Sequence, residues 1–456
     1  TGFDIIIGNP PYVNVEEVDE IIKKNIKKFR TAYQKYDLYV LFYEKGIDLL
    51  RPNGQLNFIT SNKFLSQGYG LLLRKEFLKY FIHQIINFNY DIFEAATVRT
   101  CIFHLQKSLK SSNDKIKIID VESLKDSDKF NKLQYDFLNQ NIFVETDENN
   151  FRINLNNQKL YVLNKITENC LRVDDIFSVN YGLRPSSEKL NLKKDAFIHS
   201  SNPTKKFKKY FEGKDMGYWL IKNYSYLDYQ PEVMYNAMFP ELFETEKLVG
   251  LRTLSDITKL RFIYDKDKHY CNDSVVVLTL WHLFKSQRNQ TIARNITKDK
   301  IDNSKNYNYL FVQAILNSKM IKFYVNELLY DGTHFYPNHM KQLPIKKTDS
   351  KVQIPYIRLV EYILHTIENE FDSSFFERLL DAMIYELYLP EEIKAGGAKV
   401  LKHITNLPEL KEGEDEKNLK IIEKVYKELS DPKHPISAAL LKLLTIEEVN
   451  IIEGRK

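Results

Sequence analysis

The stretch that most constrains this chain comes near its start, Asp4-Ile5-Ile6-Ile7-Gly8-Asn9-Pro10-Pro11-Tyr12. Three consecutive β-branched residues with no polar alternation predict a short strand covered on both faces, as in a parallel sheet flanked by helices. Gly8 ends that strand. The residues after it fall where open α/β sheets carry a ligand crevice, beyond the carboxyl ends of the strands. Pro10 and Pro11 have fixed φ and no N–H, which stiffens the loop and leaves its carbonyls as free acceptors. Asn9 adds an amide oxygen, and Tyr12 adds a flat ring with a polar end. Two oxygen acceptors beside a stacking surface suit a planar group that carries an exocyclic amine.

Such an amine, donating one hydrogen to the Asn9 amide oxygen and one to the Pro10 carbonyl, loses conjugation with its ring. Its lone pair then points outward, towards an electrophilic methyl placed opposite. Catalysis of this kind is positioning and preorganised electrostatics, with no metal and no nucleophilic side chain. A plain turn is the other reading of the same residues, because Asn-Pro is a common loop opening.

Asp4 to Tyr12 resembles the catalytic motif of methyltransferases that use S-adenosylmethionine, specifically the adenine-N6 DNA methyltransferases of the Eco57I/TaqI-like type. The resemblance implies that Asn9 and Pro10 hold the adenine amine, that Tyr12 stacks on the extruded base, and that Pro11 lies near the cofactor. Enzymes that methylate a glutamine side-chain amide share the four residues Asn9 to Tyr12. The rest of the chain has to separate the two.

With 456 residues, 43 % of them hydrophobic, the chain can hold two or three packed domains. Cys101, Cys170 and Cys271 are widely spaced, which argues against a disulfide framework and a structural zinc site and fits a reducing, cytoplasmic setting. His83, His104, His269, His282, His334 and His339 lack metal-ligand spacing, and no metal is expected. No apolar run reaches the roughly 18 residues of a membrane span; the densest, Val275 to Phe284, contains His282. The net charge of +5 is mild, so its distribution matters more than its sum.

A methyltransferase sheet needs further strands and a glycine-rich turn for the cofactor ahead of the catalytic strand. None precedes residue 1, so residues 1–107 read as the later half of a Rossmann-like methyltransferase sheet, in the C-terminal portion of a larger polypeptide. The expectation is weak binding of S-adenosylmethionine by this chain alone. The cofactor half, and any nuclease fused to it, would lie upstream.

Within that half, residues 15–35, with Lys23, Lys24, Lys27, Lys28 and Arg30, read as a solvated helix or loop, or as a phosphate contact beside the active site. A helix follows over 36–50, with Leu38, Leu41, Phe42, Leu49 and Leu50 apolar, ended by Pro52-Asn53-Gly54. A strand is expected at 55–60, a loop at Ser61 to Leu65, a helix at 69–80, and strands at 82–88 and 101–105. The string from Tyr39 to Leu65 resembles the family's segment after the catalytic motif. Phe93, in Phe93-Glu94-Ala95-Ala96-Thr97-Val98, matches a family aromatic that packs on the flipped base; as a lone phenylalanine it reads equally as core.

Residues 108–169 turn polar, with short strands such as Lys115 to Val121 among the polar runs, and read as a connector. From Lys193 to Lys222 there are eight lysines against three acids, interleaved with Phe207, Tyr210, Phe211, Tyr218 and Trp219. Basic residues among aromatics suggest contact with nucleic-acid phosphates, with a solvated face as the plainer reading. Arg184, Lys205, Lys206, Lys208, Lys209 and Lys214 are the candidate DNA contacts. Lys209 to Asp215, Leu310 to Tyr324 and Phe335 to Ile345 resemble parts of the target-recognition domain that follows the catalytic domain in restriction-associated adenine methyltransferases. In order over 170–347, they weigh against the glutamine-methylating alternative. Glu212-Gly213-Lys214 with Asp195 superficially suits a nuclease, but that spacing is common by chance. Residues 348–456 read as helices, with Ile357, Val360, Ile363, Leu364 and Ile367 on one apolar face and Phe376, Leu379, Leu380, Met383, Ile384 and Leu387 on another.

The expected architecture is an α/β partial methyltransferase sheet, an α+β recognition domain and a helical C-terminal region. The expected partner is double-stranded DNA, with no membrane. The expected activity is methyl transfer to N6 of one adenine rotated out of the duplex, within a restriction-modification enzyme. A DNA-binding specificity module without its own activity, or a glutamine or RNA N-methyltransferase, is the alternative.

Overall fold

The computed structural model describes residues 2–455 except 91, 93–97, 112–113, 122–127, 129–130, 133–134, 203–204, 285–289 and 331–334, with only the backbone described at 145, 147, 157 and 291. The chain divides into two compact units, residues 1–160 and 161–456.

The first unit is built on a six-stranded mixed sheet in the order β1-β2-β4-β3-β5-β6. Its strands are β1 (Phe3–Gly8), β2 (Leu50–Ser61), β3 (Tyr80–Phe88), β4 (Thr100–Leu109), β5 (Lys115–Val121) and β6 (Asp136–Asn139). Strand alternation decides which side chains meet the core. Leu56, Phe58 and Thr60 of β2 are buried with Cys101, Phe103 and Leu105 of β4, while Gln55, Asn57, Ile102 and His104 on the opposite face are only half-buried. Against the buried face lie the helices α2 (Tyr39–Leu49) and α3 (Leu71–Phe77), which follow the short, exposed α1 (Glu20–Ile26). The contact is aromatic. Phe77 stacks on Phe103 at 4.3 Å between centroids, Tyr43 meets Phe77 at 4.9 Å, and Phe64 meets Phe103 at 5.6 Å. Each such ring contributes about 1.5–3 kcal/mol through burial alone.

Several sequence expectations change here. Among the described residues β1 is an edge strand paired with β2 alone, and Ile5 and Ile7 are 61 % and 78 % exposed rather than covered. The buried residues of α2 include Tyr39, Val40, Tyr43 and Ile47, whereas Phe42 and Leu49 face solvent. Pro52-Asn53-Gly54 does not merely stop that helix. It lies inside β2, where the pairing jumps from Phe3↔Leu50 to Ile5↔Gln55 and Asn53 takes φ +65°, so the extra residues bulge out of the ladder. The polar connector contains sheet: β5 pairs parallel with β3, and β6 pairs antiparallel with β5. The short strand expected at Lys115 to Val121 is β5, and its buried Ile116, Ile118, Ile119 and Val121 make it part of the sheet core rather than of a connector.

One buried cation organises the turn after β2. Arg74, fully buried on α3, donates to the carbonyls of Phe64 at 2.6 Å, Gln67 at 2.8 Å and Glu148 at 3.2 Å. Burial lowers its pKa to about 10, which still leaves it charged at neutral pH. The chain passes so close here that a Cβ at Gly70 would stand 2.5 Å from the Phe64 carbonyl oxygen, which only glycine avoids.

The second unit has two four-stranded sheets. One is antiparallel, β13 (Phe262–Asp265), β12 (Lys247–Leu251), β15 (Val275–Leu280) and β8 (Phe177–Tyr181), with β15 buried throughout; the other joins β14 (Tyr270–Cys271), β10 (Lys208–Phe211), β11 (Ser225–Leu227) and β9 (Ile198–His199). A short pair, β7 (Cys170–Arg172) with β16 (Pro344–Lys346), completes its strands. Helices α4 (Tyr309–Asn317), α5 (Lys319–Leu328), α6 (Ser350–Glu368), α7 (Ser374–Tyr388) and α8 (Asp415–Leu429) carry much of its core. On α6 the buried stripe is Tyr356, Leu359, Val360 and Ile363, with Ile357, Leu364 and Ile367 at its margin; on α7 Phe376, Leu379, Leu380, Met383 and Ile384 are buried as the periodicity predicts. The side chain of Lys247 is completely buried and paired with Asp265 at 2.7 Å, and Asp265 also accepts from the His269 backbone N–H at 2.8 Å. Among the described residues no helix is long and apolar enough to cross a membrane.

Candidate active site

Pairing directions gather the strand ends. β1 is parallel to β2, both β2 and β3 are antiparallel to β4, and β3 is parallel to β5. The carboxyl ends of β1, β2, β3 and β5, at Gly8, Ser61, Phe88 and Val121, therefore share one rim. The Asn9 to Tyr12 loop leaves the sheet there.

In that loop Asn9 and Pro11 are exposed, Pro10 is buried and Tyr12 is half-buried. Pro10 anchors the bend while the Asn9 amide faces solvent, so the polar group is presented rather than consumed by packing. The Tyr12 hydroxyl donates to the Ile59 carbonyl at 3.3 Å, and its ring stands nearly perpendicular to that of Tyr39, 6.3 Å between centroids. Burial, with a smaller contribution from Cys101, raises the Tyr12 pKa to about 12, so the phenol stays a neutral donor.

Further along the rim, Asn62 Nδ2 donates to Asn87 Oδ1 at 2.8 Å, and the amides of Asn87 and Asn89 both donate to Asp120, at 2.7 and 2.9 Å. This polar link joins the ends of β2, β3 and β5 beside the apolar cluster of Ile86, Phe88, Ile119 and Val121. Phe93 and its neighbours through Thr97 lie outside the described residues, as does His334. The described residues Phe88 of β3 and Thr100 of β4 pair with each other on this rim.

The candidate DNA contacts all lie in the second unit. Arg184 pairs with Asp273 at 2.6 Å, Lys208 with Glu244 at 2.8 Å, Lys209 with Asp267 at 3.4 Å and Lys214 with Glu212 at 3.5 Å. Lys205 and Lys206 are exposed and form no ion pair with described residues. Tyr210, Phe211 and Trp219 are buried, so these aromatics among the lysines build core and offer no stacking surface. Glu212 accepts from Lys194 and Tyr210; burial pushes its carboxyl up, but those donors hold it below the ordinary value. Among the described residues no group of three His, Cys, Asp or Glu side chains could hold a metal.

Sequence reasoning missed Asp37, Tyr69, Arg74 and the Asn87–Asp120 link. The aromatic density of Tyr36-Asp37-Leu38-Tyr39 just ahead of a helix was the available signal for the first two.

Residues 1–93, which hold this bend and the rim it leaves, match the model of the Eco57I restriction-modification methylase. That segment is an Eco57I-like restriction-modification methylase domain. RM.MjaORFECS2P of Methanocaldococcus jannaschii, named for a type II restriction enzyme and methyltransferase, is 26 % identical over 411 residues, 86 % of this chain and 32 % of that protein. The type II restriction enzyme and methyltransferase RM.Eco57I of Escherichia coli is 32 % identical over 130 residues, 27 % of this chain and 13 % of that protein. In fold the chain is similar to the type IIL restriction-modification enzyme MmeI in complex with DNA, with a TM-score of 0.50 at 12 % identity, covering 98 % of this chain and 57 % of that one. The chain thus spans about a third of the length of the M. jannaschii relative and less of the E. coli one.

Proposed function

We propose that this chain is part of a DNA methyltransferase of a restriction-modification system that methylates N6 of an adenine rotated out of the duplex. The observation that carries this reading is the Asn9 side chain, exposed and unengaged by described residues, on a proline-stiffened bend beside the half-buried Tyr12 ring. A purine stacked on Tyr12 and Phe93 donates its two amino hydrogens to the Asn9 amide oxygen and the Pro10 carbonyl. The nitrogen then presents its lone pair for in-line attack, and charge developing on it is met by two preorganised acceptors.

S-adenosylmethionine, when bound, supplies the electrophilic methyl. The residues present fit that group only at its margin: Pro11 is exposed, and the open side of β1 offers Ile5 and Ile7 as an apolar flank. The main cofactor contacts belong to a preceding half of the same polypeptide, together with any nuclease. Residues 170–347 serve as the target-recognition domain for double-stranded DNA, with Arg184, Lys205, Lys206, Lys208, Lys209 and Lys214 on phosphates, in a cytoplasmic enzyme.

Transfer of labelled methyl groups to plasmid DNA by the full-length protein tests this reading. Label in N6-methyladenine, lost in Asn9→Ala, is the expected result. Label in protein or RNA instead would reject DNA as substrate, and site-specific DNA binding without any transfer would leave only a specificity module.

A further inference from the structure

Three side chains outside the Asn9 to Tyr12 loop form one hydrogen-bonded chain behind it. Asp37 Oδ2 accepts from the Tyr69 hydroxyl at 3.3 Å, and the hydroxyls of Tyr69 and Tyr39 lie 2.7 Å apart. Tyr69 has a single hydroxyl proton and gives it to Asp37, so Tyr39 is the donor in the second bond. The other carboxylate oxygen of Asp37 accepts from Asn14 Nδ2 at 3.2 Å. The backbone closes the same link twice, from Leu38 N–H to the Val13 carbonyl at 2.8 Å and from Val15 N–H to the Tyr36 carbonyl at 2.9 Å.

This chain ends on Tyr12. The fully buried Tyr39 ring stands at 84° to the Tyr12 ring, and is itself wedged by Phe64 at 6.2 Å and Tyr43 at 6.4 Å. Phenylalanine at 39 would pack as well without the cost of burying a hydroxyl, which is offset only because each hydroxyl in the series has a partner. The phenol end of Tyr12 rests on the Ile59 carbonyl. Its ring is thus fixed at the tip by β2 and from the side by Tyr39.

We propose that Asp37 and Tyr39 are positioning residues, with Tyr69 as the bridge, that set the plane of the Tyr12 ring so that a base stacked on it brings its amine to Asn9. This rests on the methyltransferase reading. Misplacement by about 1 Å can cost a hundredfold in rate while binding through other contacts persists.

The test uses the full-length protein with two duplexes, one keeping the adenine found methylated in modified plasmid, for rate and affinity, and one with 2-aminopurine in its place, for fluorescence. Single-turnover rate, DNA affinity and 2-aminopurine fluorescence are read for Asp37→Ala, Asp37→Asn, Tyr39→Phe and Asn9→Ala. Asp37→Ala and Tyr39→Phe should slow methyl transfer by about tenfold or more, with DNA affinity within about twofold of wild type and brighter fluorescence from the less firmly stacked base. Asp37→Asn keeps one acceptor and should recover part of the rate. Should Asp37→Ala fail to fold, Tyr39→Phe, which keeps ring and volume, carries the test. Wild-type rates in Tyr39→Phe and in any folded Asp37 variant overturn the positioning role. A wild-type protein that transfers no methyl group, or a fully active Asn9→Ala, overturns the underlying reading instead.

Discussion

The hydroxyl of Tyr12 donates to the main-chain carbonyl of Ile59 at 3.3 Å, a bond that ties the candidate base platform to the neighbouring parallel strand. At that length it is a weak tether, and the ring carries the function. Tyr12→Phe should therefore lower methylation by less than about tenfold, whereas Tyr12→Ala should lower it by a hundredfold or more, as loss of a stacking platform worth about 1–3 kcal/mol and of base orientation together imply. Steady-state kinetics with plasmid DNA separate the two; equal losses would mean that the hydroxyl, not the ring, is the working part.

Arg74 donates to three carbonyls without pairing to a carboxylate among the described residues. Arg74→Met keeps the volume but takes this donor from the oxygens of Phe64 and Glu148, while Gln67 keeps only the Gly70 N–H. The expected cost is about 3–5 kcal/mol, read as a shift of the urea midpoint of the first unit. A shift within experimental scatter would show that water replaces the guanidinium freely.

In the second unit, Asp265 neutralises the buried ammonium of Lys247. Burial alone would raise its carboxyl, but hydrogen bonds from His269 and the charge of Lys247 bring it below the ordinary value. A carboxylate depressed on folding adds stability above its unfolded pKa of about 3.9 and loses that contribution as pH falls through the folded value. Asp265→Asn should thus cost about 3 kcal/mol at pH 7 and progressively less in acid. Denaturant titrations at pH 7 and pH 3 measure the difference; a pH-independent penalty would contradict the charge argument.

The open side of β1 presents Ile5 and Ile7 beside an unpaired strand edge, the arrangement that invites association. Residues 1–456 produced alone should self-associate at micromolar concentration, and Ile7→Lys should reverse this. Sedimentation velocity of the two forms decides it.

Lys205 and Lys206 differ from the other candidate DNA-binding residues in forming no ion pair with described residues. Replacing both by alanine should flatten the salt dependence of DNA binding by about 0.9 for each phosphate no longer neutralised, more than the Lys208→Ala and Lys209→Ala pair, whose charges are already shared with Glu244 and Asp267. Fluorescence anisotropy across a salt series gives both slopes, and matching slopes would assign no special part to the unpaired lysines.

Local chemistry made much of this legible in advance. The strand, stop and rigid bend from Asp4 to Tyr12 follow from residue types alone, as do the apolar faces of α6 and α7. What stayed hidden depended on partners distant in sequence. The strand at Lys115 to Val121 is legible from its alternation, but nothing local says that it joins the sheet beside β3 rather than a polar connector. Tyr210, Phe211 and Trp219 read as part of a binding surface until the fold of the second unit buries them, while Phe207 and Tyr218 stay half-buried. Asp37 gains its meaning only from Tyr69 and Asn14, which reach it from two other stretches of chain.

Because β4 runs back against both of its neighbours, the residues that join Phe88 to Thr100 depart from and return to the same border as Asn9. The ladders beneath are set by Phe88↔Thr100 and the pairs that precede it, so changes between those two residues leave the register of β2, β3 and β4 intact. On the proposed methyltransferase reading, base preference can be altered there without disturbing the scaffold.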